Sequence, residues 1–270
     1  MIKRTGAYTI AFESRPVIAG WGSVVGKKEA EGPLKNYFDK IIYDSYDGCD
    51  TFEQAESMFQ GEALEKALER SKTHANEVDC VFAGDLLNQC IGSSFGLMKF
   101  GIPYLGQYGA CSTMAQSLIM AASAVESGGA KVSACVTSSH FASAERQYRF
   151  PLEYGGVRTP TAQWTVTGAH LTPVTVVAMA PAAAQTLECY LEDTKTSPED
   201  YDMIITGDLG EVGSKSLYDL LERDGINIRK QHNDCGLMIF ERSNQDVHAG
   251  GSGCGCAASV LCSKIMDDFQ

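Results

Sequence analysis

Two octapeptides, one in each half of the chain, restrict its fold more than any other feature. Asp79-Cys-Val-Phe-Ala-Gly-Asp-Leu86 and Asp202-Met-Ile-Ile-Thr-Gly-Asp-Leu209 share an opening acid, a short apolar run and a closing Gly-Asp-Leu. An apolar run between turn signals suits a strand covered on both faces, as in a parallel α/β sheet. A segment with helical periodicity precedes each, at 52–72 and at 182–192. Each half then carries a Gly/Cys turn opening a helix of small residues: Gly109-Ala-Cys111-Ser-Thr and Gly253-Cys-Gly-Cys256-Ala-Ala. Two copies are too few for a solenoid. The pattern predicts an α/β protein of two pseudo-symmetric halves, residues 1–170 and 171–270.

Further strands are predicted at 16–25, 78–83, 102–107, 131–137 and 203–206. The helix from Cys111 to about Glu126 is apolar on nearly every side, which predicts a position inside the protein. Residues 141–158 read as a long irregular stretch with several aromatics, the kind of loop that tends to carry function.

At 270 residues, 44% of them hydrophobic, the chain can bury a large core. Its formal net charge of −12 argues against a groove for nucleic acid, although a few clustered arginines can dominate a local site. Ten cysteines in so long and core-rich a chain do not read as a disulfide scaffold. Met1-Ile2-Lys3-Arg4 leads into no apolar stretch like that of a secretory signal, so the expectation is reduced thiols inside a cell. The apolar windows at 17–25 and 174–184 are too short to span a bilayer, so a membrane role would require docking to something else.

Cys111 is the first chemical candidate. A thiol at a helix start faces unpaired backbone N–H groups, which favour thiolate and can also hold an anion. Cys254 and Cys256, with Cys235 and Cys262 nearby, raise zinc, but a Cys-x-Cys pair fits structural zinc poorly and no metal is expected. The glycines at 250, 251, 253 and 255 lack the dinucleotide-binding spacing. His140 and His248 each follow a strand-like run or a turn and could face a pocket. Arg146, Arg149 and Arg158 share one segment with Tyr148, Phe150, Tyr154 and Trp164, a mixture that suits a flat carboxylate.

Gly109-Ala-Cys111-Ser in a duplicated α/β core resembles the thiolase and β-ketoacyl synthase superfamily. The runs FAGDLLNQCI, YGACSTMAQSL, SPEDYDMIITGDLGEVG and QDVHAGGSGCGCAASVL resemble, more narrowly, the stage V sporulation protein AD family across nearly the whole chain. That resemblance implies a thiolase-like fold of α-β-α-β-α layers and a non-catalytic role in moving dipicolinic acid (pyridine-2,6-dicarboxylic acid), alone or as its calcium chelate, into the developing spore. It implies binding in a pocket matching the condensing-enzyme active site. The expected ligand-binding set is Cys111, Ser138, Ser139, His140, Arg146, Arg149, Arg158 and His248, with no cofactor. The implied partners are a second copy of the chain and the membrane subunits of the stage V sporulation A complex. The implied place is the forespore or spore inner membrane, as a peripheral protein without a transmembrane segment.

Two departures qualify the resemblance. Gly207-Asp208-Leu209-Gly210 puts an acid and glycines where a synthase has its histidine, and Ala249-Gly250-Gly251-Ser252 lacks the expected asparagine. The alternative function, an acyl-transferring condensing enzyme with Cys111 as nucleophile, would have to rely on His248 as its partner. The connection at 169–177 is also much shorter than usual for the family, and the chain stops before the closing strands, so a longer protein with a gap near 170–175 is expected.

Overall fold

A computed structural model describes residues 2–148, 158–168 and 176–269. In chain order the strands are β1 (Ile2–Thr5), β2 (Thr9–Phe12), β3 (Val24–Gly26), β4 (Lys40–Ile42), β5 (Cys80–Gly84), β6 (Tyr104–Gly106), β7 (Ser133–Thr137), β8 (Trp164–Thr165), β9 (Ile204–Thr206), β10 (His232–Asp234) and β11 (Gly251–Ser252). The helices are α1 (Lys27–Ala30), α2 (Phe52–Ser71), α3 (Ile91–Leu97), α4 (Thr113–Glu126), α5 (Phe141–Tyr148), α6 (Val176–Thr194), α7 (Gly210–Arg223), α8 (Cys235–Met238) and α9 (Cys254–Val260).

The first octapeptide forms β5, the centre of a parallel three-stranded sheet ordered β6-β5-β7. Parallel neighbours need crossovers, and α3 and α4 supply them. Val81, Ala83 and Val136 on the sheet meet Leu64 of α2 and Leu97 of α3 in one buried cluster. The second octapeptide forms β9, which pairs in parallel with β10. Its crossover helix α7 buries Leu217 and Leu221 against Ala180 and Ala184 of α6. The halves meet where β8 pairs with β11 and where α4 packs on α9.

Helix α2 starts on a capping box: Thr51 Oγ1 accepts from Gln54 N at 3.2 Å, and Gln54 Oε1 accepts from Thr51 N at 3.1 Å. It ends at Lys72 in the left-handed region, as predicted from its periodicity. Its buried face is partly polar. Met58 is exposed, whereas Glu56 and Gln60 are buried beside Phe59, Ala63 and Leu64.

Three other expectations are corrected. The strand predicted over 16–25 shrinks to β3, because Val17 and Ile18 face solvent. The stretch from Phe141 is not irregular at its start. It forms α5, which buries Ser143 and Ala144, while residues 149–157 lie outside those described. Helix α4 is not enclosed: Thr113, Met114, Ser117 and Ala121 face the core, but Ile119 and Met120 are 52% and 41% exposed. Nothing else in the single chain covers that side among the described residues.

Candidate functional site

The site begins at the end of β5. A Cβ on Gly84 would overlap the carbonyl oxygen of Gln107 and lie 2.7 Å from Thr113 Cγ2, so only glycine lets the 107–113 turn close over the strand end. Within that turn Ala110 has φ +51°, a left-handed conformation that costs a non-glycine residue about 1 kcal/mol. Ser112 Oγ donates to Gly109 O at 2.6 Å and Thr113 Oγ1 donates to Ala110 O at 2.8 Å, which offsets the strain. Cys111 is thereby held, half-buried, immediately ahead of α4.

The second half supplies its neighbour. The Cys111 thiol is hydrogen-bonded to the carboxyl of Asp208, which closes the second octapeptide just beyond β9. Asp208 Oδ2 also accepts from Gly253 N at 2.6 Å and from Ser252 Oγ at 3.3 Å, so the Gly/Cys turn that opens α9 encloses it. Burial raises the Asp208 carboxyl to about 7, against the pull of those hydrogen bonds. Near neutral pH it therefore exchanges its proton. Asp234 stands behind it and braces the turn, accepting from Leu209 N at 2.8 Å and Gly210 N at 2.9 Å.

Around Cys111 the duplicated motifs thus converge, with the Cys turn of one half against the Asp and Gly/Cys turn of the other. Chemically the pair is a thiol beside an acid. An ionised Asp208 opposes a second negative charge at its side, whether on the sulfur or on a developing oxyanion.

The other predicted residues are distributed elsewhere. Ser138 Oγ donates to Glu56 Oε1 at 2.8 Å and accepts from Gln60 Nε2 at 2.5 Å. Ser139 Oγ donates to Val166 O at 3.0 Å. His140 Nε2 lies 2.8 Å from Ser45 O, its Nδ1 accepts from Ala142 N at 3.2 Å, and its ring stacks on Phe52. Burial lowers its pKa to about 4, so it is neutral at physiological pH. His140 lines a cavity of about 680 Å³. Arg146 is exposed and paired with Glu53. Arg149 lies outside the described residues. Arg158 pairs with Asp246 at 2.9 Å, and the same acid holds His248 Nε2 at 2.8 Å, with Thr159 O 2.6 Å from Nδ1. The structure therefore brings Arg158 and His248 together on Asp246, and gives Cys111 the acid Asp208 as a partner.

Asp208, Glu56 and Gln60 were not among the expected site residues. The repeated Gly-Asp-Leu pointed at Asp208, since a shared acid at two strand ends asks for a reason. Glu56 and Gln60 fall on the same helical stripe as Phe59 and Ala63, a polar pair inside an apolar face. Cys235 and Cys256, raised as metal ligands, are free thiols buried in an apolar cluster with Val166, Ile239 and Val260.

The family model for stage V sporulation protein AD matches residues 6–177 and 174–270. Stage V sporulation protein AD of Bacillus subtilis (strain 168) is 38% identical over 296 residues, spanning 100% of this chain and 87% of that one. That alignment is longer than the chain itself, so the relative carries additional residues within it. The two family matches meet at 174–177, where the connection is short. Among solved structures, cerulenin-bound OleA of Xanthomonas campestris has a TM-score of 0.62 at 12% identity, covering 93% of this chain and 90% of that one. The C143S form of OleA with bound lauric acid and lauroyl-CoA has a TM-score of 0.58 at 14% identity, covering 93% and 90%. The 3-oxoacyl-[acyl-carrier-protein] synthase III of Aquifex aeolicus VF5 has a TM-score of 0.50 at 12% identity, covering 78% and 75%. At these identities the likeness is one of fold, and the fold is that of the thiolase-like condensing enzymes.

Proposed function

This chain belongs to the stage V sporulation protein AD family, and on that premise we propose that it is a non-catalytic subunit that binds dipicolinic acid and supports its uptake into the developing spore. Its role lies in sporulation. Asp208 carries the non-catalytic half of this reading, because the residue that meets the Cys111 thiol is a buried carboxyl, whose charge when ionised opposes a thiolate, in the place where a synthase has its histidine. His140 is neutral and engaged with Ser45, and His248 is engaged with Asp246 and Thr159, so neither histidine replaces the missing one. The ligand half rests on family membership, with Cys111 half-buried at the head of α4 as its place.

Calorimetric titration with dipicolinate, with and without calcium, should give saturable heat. The same protein incubated with an acyl-CoA should gain no mass on Cys111. A flat titration at millimolar dipicolinate sinks the binding reading, and an acyl adduct on Cys111 would instead establish the condensing enzyme.

The same reading makes the protein a homodimer, attached at the spore inner membrane through the membrane subunits of its complex. No helix among the described residues is long and apolar enough to cross a membrane. Support for a second copy comes from β6, the edge of its sheet, where Leu105 is exposed, and from the uncovered apolar side of α4. An unpaired strand edge with apolar flanks is a surface that proteins normally cover. Light scattering should return twice the chain mass of 29.1 kDa, and Leu105→Lys with Ile119→Lys should halve it. A wild-type protein at the single-chain mass would dispose of the dimer.

A further inference from the structure

The 680 Å³ cavity is a second chamber, since neither Cys111 nor Asp208 lines it. Its walls come from α1, the loop after β4, the start of α2, and the turn from β7 into α5. Its size falls within the range of small-ligand pockets. Two aromatic stacks form its sides. One is Phe52 on His140, with centroids 5.1 Å apart, and the other is Phe141 on Trp164, 3.9 Å apart.

Two adjacent residues of α1 give the chamber its chemistry. Lys28 Nζ sits 3.9 Å from the centre of the Trp164 ring, a cation–π contact that leaves its N–H groups free to point elsewhere. Glu29 is fully buried. Its Oε1 accepts from Thr167 N at 2.8 Å, but its Oε2 has no hydrogen-bond partner. Lys28 and Glu29 feel each other's charge. A buried carboxyl oxygen without a partner leaves its desolvation uncompensated, the more so when charged. The chamber wall therefore holds a cation and a buried, unmet acceptor on adjacent residues, with aromatic sides.

We propose that this chamber binds a small zwitterion carrying a planar ring, of the class of the aromatic α-amino acids. The ligand's carboxylate meets Lys28, its ammonium group donates to Glu29 Oε2, and its ring lies among Phe52, His140 and Phe141. A simple anion would satisfy Lys28 and leave Glu29 unmet, and a simple amine would do the reverse. Desolvation disfavours the charged form of both residues, lowering Lys28 and raising Glu29 to about 7, and a bound zwitterion would oppose both shifts.

Calorimetric titration of the whole protein with L-phenylalanine tests this. Phenylalanine should bind saturably, while phenethylamine and 3-phenylpropionate, each lacking one charge, should bind at least about tenfold more weakly. Glu29→Gln should abolish the preference for phenylalanine over 3-phenylpropionate, and Lys28→Met the preference over phenethylamine. Both variants should keep dipicolinate binding, which separates this chamber from the Cys111 site. No saturable heat with phenylalanine at millimolar concentration overturns the proposal. So does equal affinity for all three compounds, or a Glu29→Gln protein with unchanged selectivity.

Discussion

Between about pH 6.5 and 8 this protein should lose thermal stability steadily, and Glu56→Gln should remove much of the loss. Glu56 is buried on α2, accepting from Ser138 Oγ and Ser143 Oγ at 2.8 Å each. Burial, with the nearby charge of Asp85 adding to it, raises its carboxyl to about 8. Gln60 extends the network from Ser138 to Ser93 at 2.8 Å, and Ser93 Oγ donates to Asp85 at 2.6 Å. Two carboxyls thus share one dry hydrogen-bonded path, and ionising both sets like charges against each other.

The sign follows from proton binding. An acid whose folded value lies above its unfolded one holds its proton in the folded state while the unfolded chain has released it. Its stability is therefore full below about 4.5 and falls as pH rises to about 8. Glu29 and Asp208, each raised to about 7, act in the same direction. His140 and His232, lowered to about 4 by burial, act oppositely, but only below their ordinary value of 6.5. Above about 6.5 the acids act unopposed. For Glu56 alone the full effect is roughly 3–5 kcal/mol at high pH. In Glu56→Gln the amide can accept from one serine and donate to the other, so the network survives without its charge. Thermal melts of both proteins across this range decide the matter, and parallel slopes for the two would refute it.

The fold was legible where chemistry repeats along the chain. The octapeptides yielded β5 and β9, the small-residue helices yielded α4 and α9, and the periodicity at 52–72 located α2 within a residue. Side-chain partners were less legible, because they depend on which strand ends meet in space. Nothing along the chain says that Cys111 and Asp208 touch, since the contact exists only once the halves pack. Arg158 and His248 lie far apart along the chain, and the acid that unites them, Asp246, had drawn no attention. Helix α4 was misplaced for a related reason. Its composition reports apolar residues on both sides, but not which side the rest of the chain packs against.

The duplication itself sets up the sharpest test of how the site is built. Gly84 and Gly207 hold the same place in their octapeptides, but they should respond oppositely to alanine. At Gly84 the new methyl group collides with the Gln107 carbonyl and crowds Thr113 Cγ2 at 2.7 Å, and neither the backbone oxygen nor a buried β-branched side chain can yield cheaply. Gly84→Ala should cost about 3 kcal/mol and displace the Cys111 turn, lowering any dipicolinate affinity with it. At Gly207 the nearest atom to the new methyl would be Ala257 Cβ at 3.7 Å, an ordinary contact. Neither glycine has a positive φ, so Gly207→Ala should be neutral or gain up to about 1 kcal/mol from reduced chain entropy. Denaturant midpoints of the two variants measure the difference directly, and equal losses would mean that both strand ends carry the same crowding. The second half has moved its close approach three residues along, to Gly210. There φ is +63° and a Cβ would lie 2.6 Å from Ala249 O. The same motif therefore seats a reactive-looking thiol in one half and opens a helix in the other. That shift frees Asp208 to turn toward Cys111.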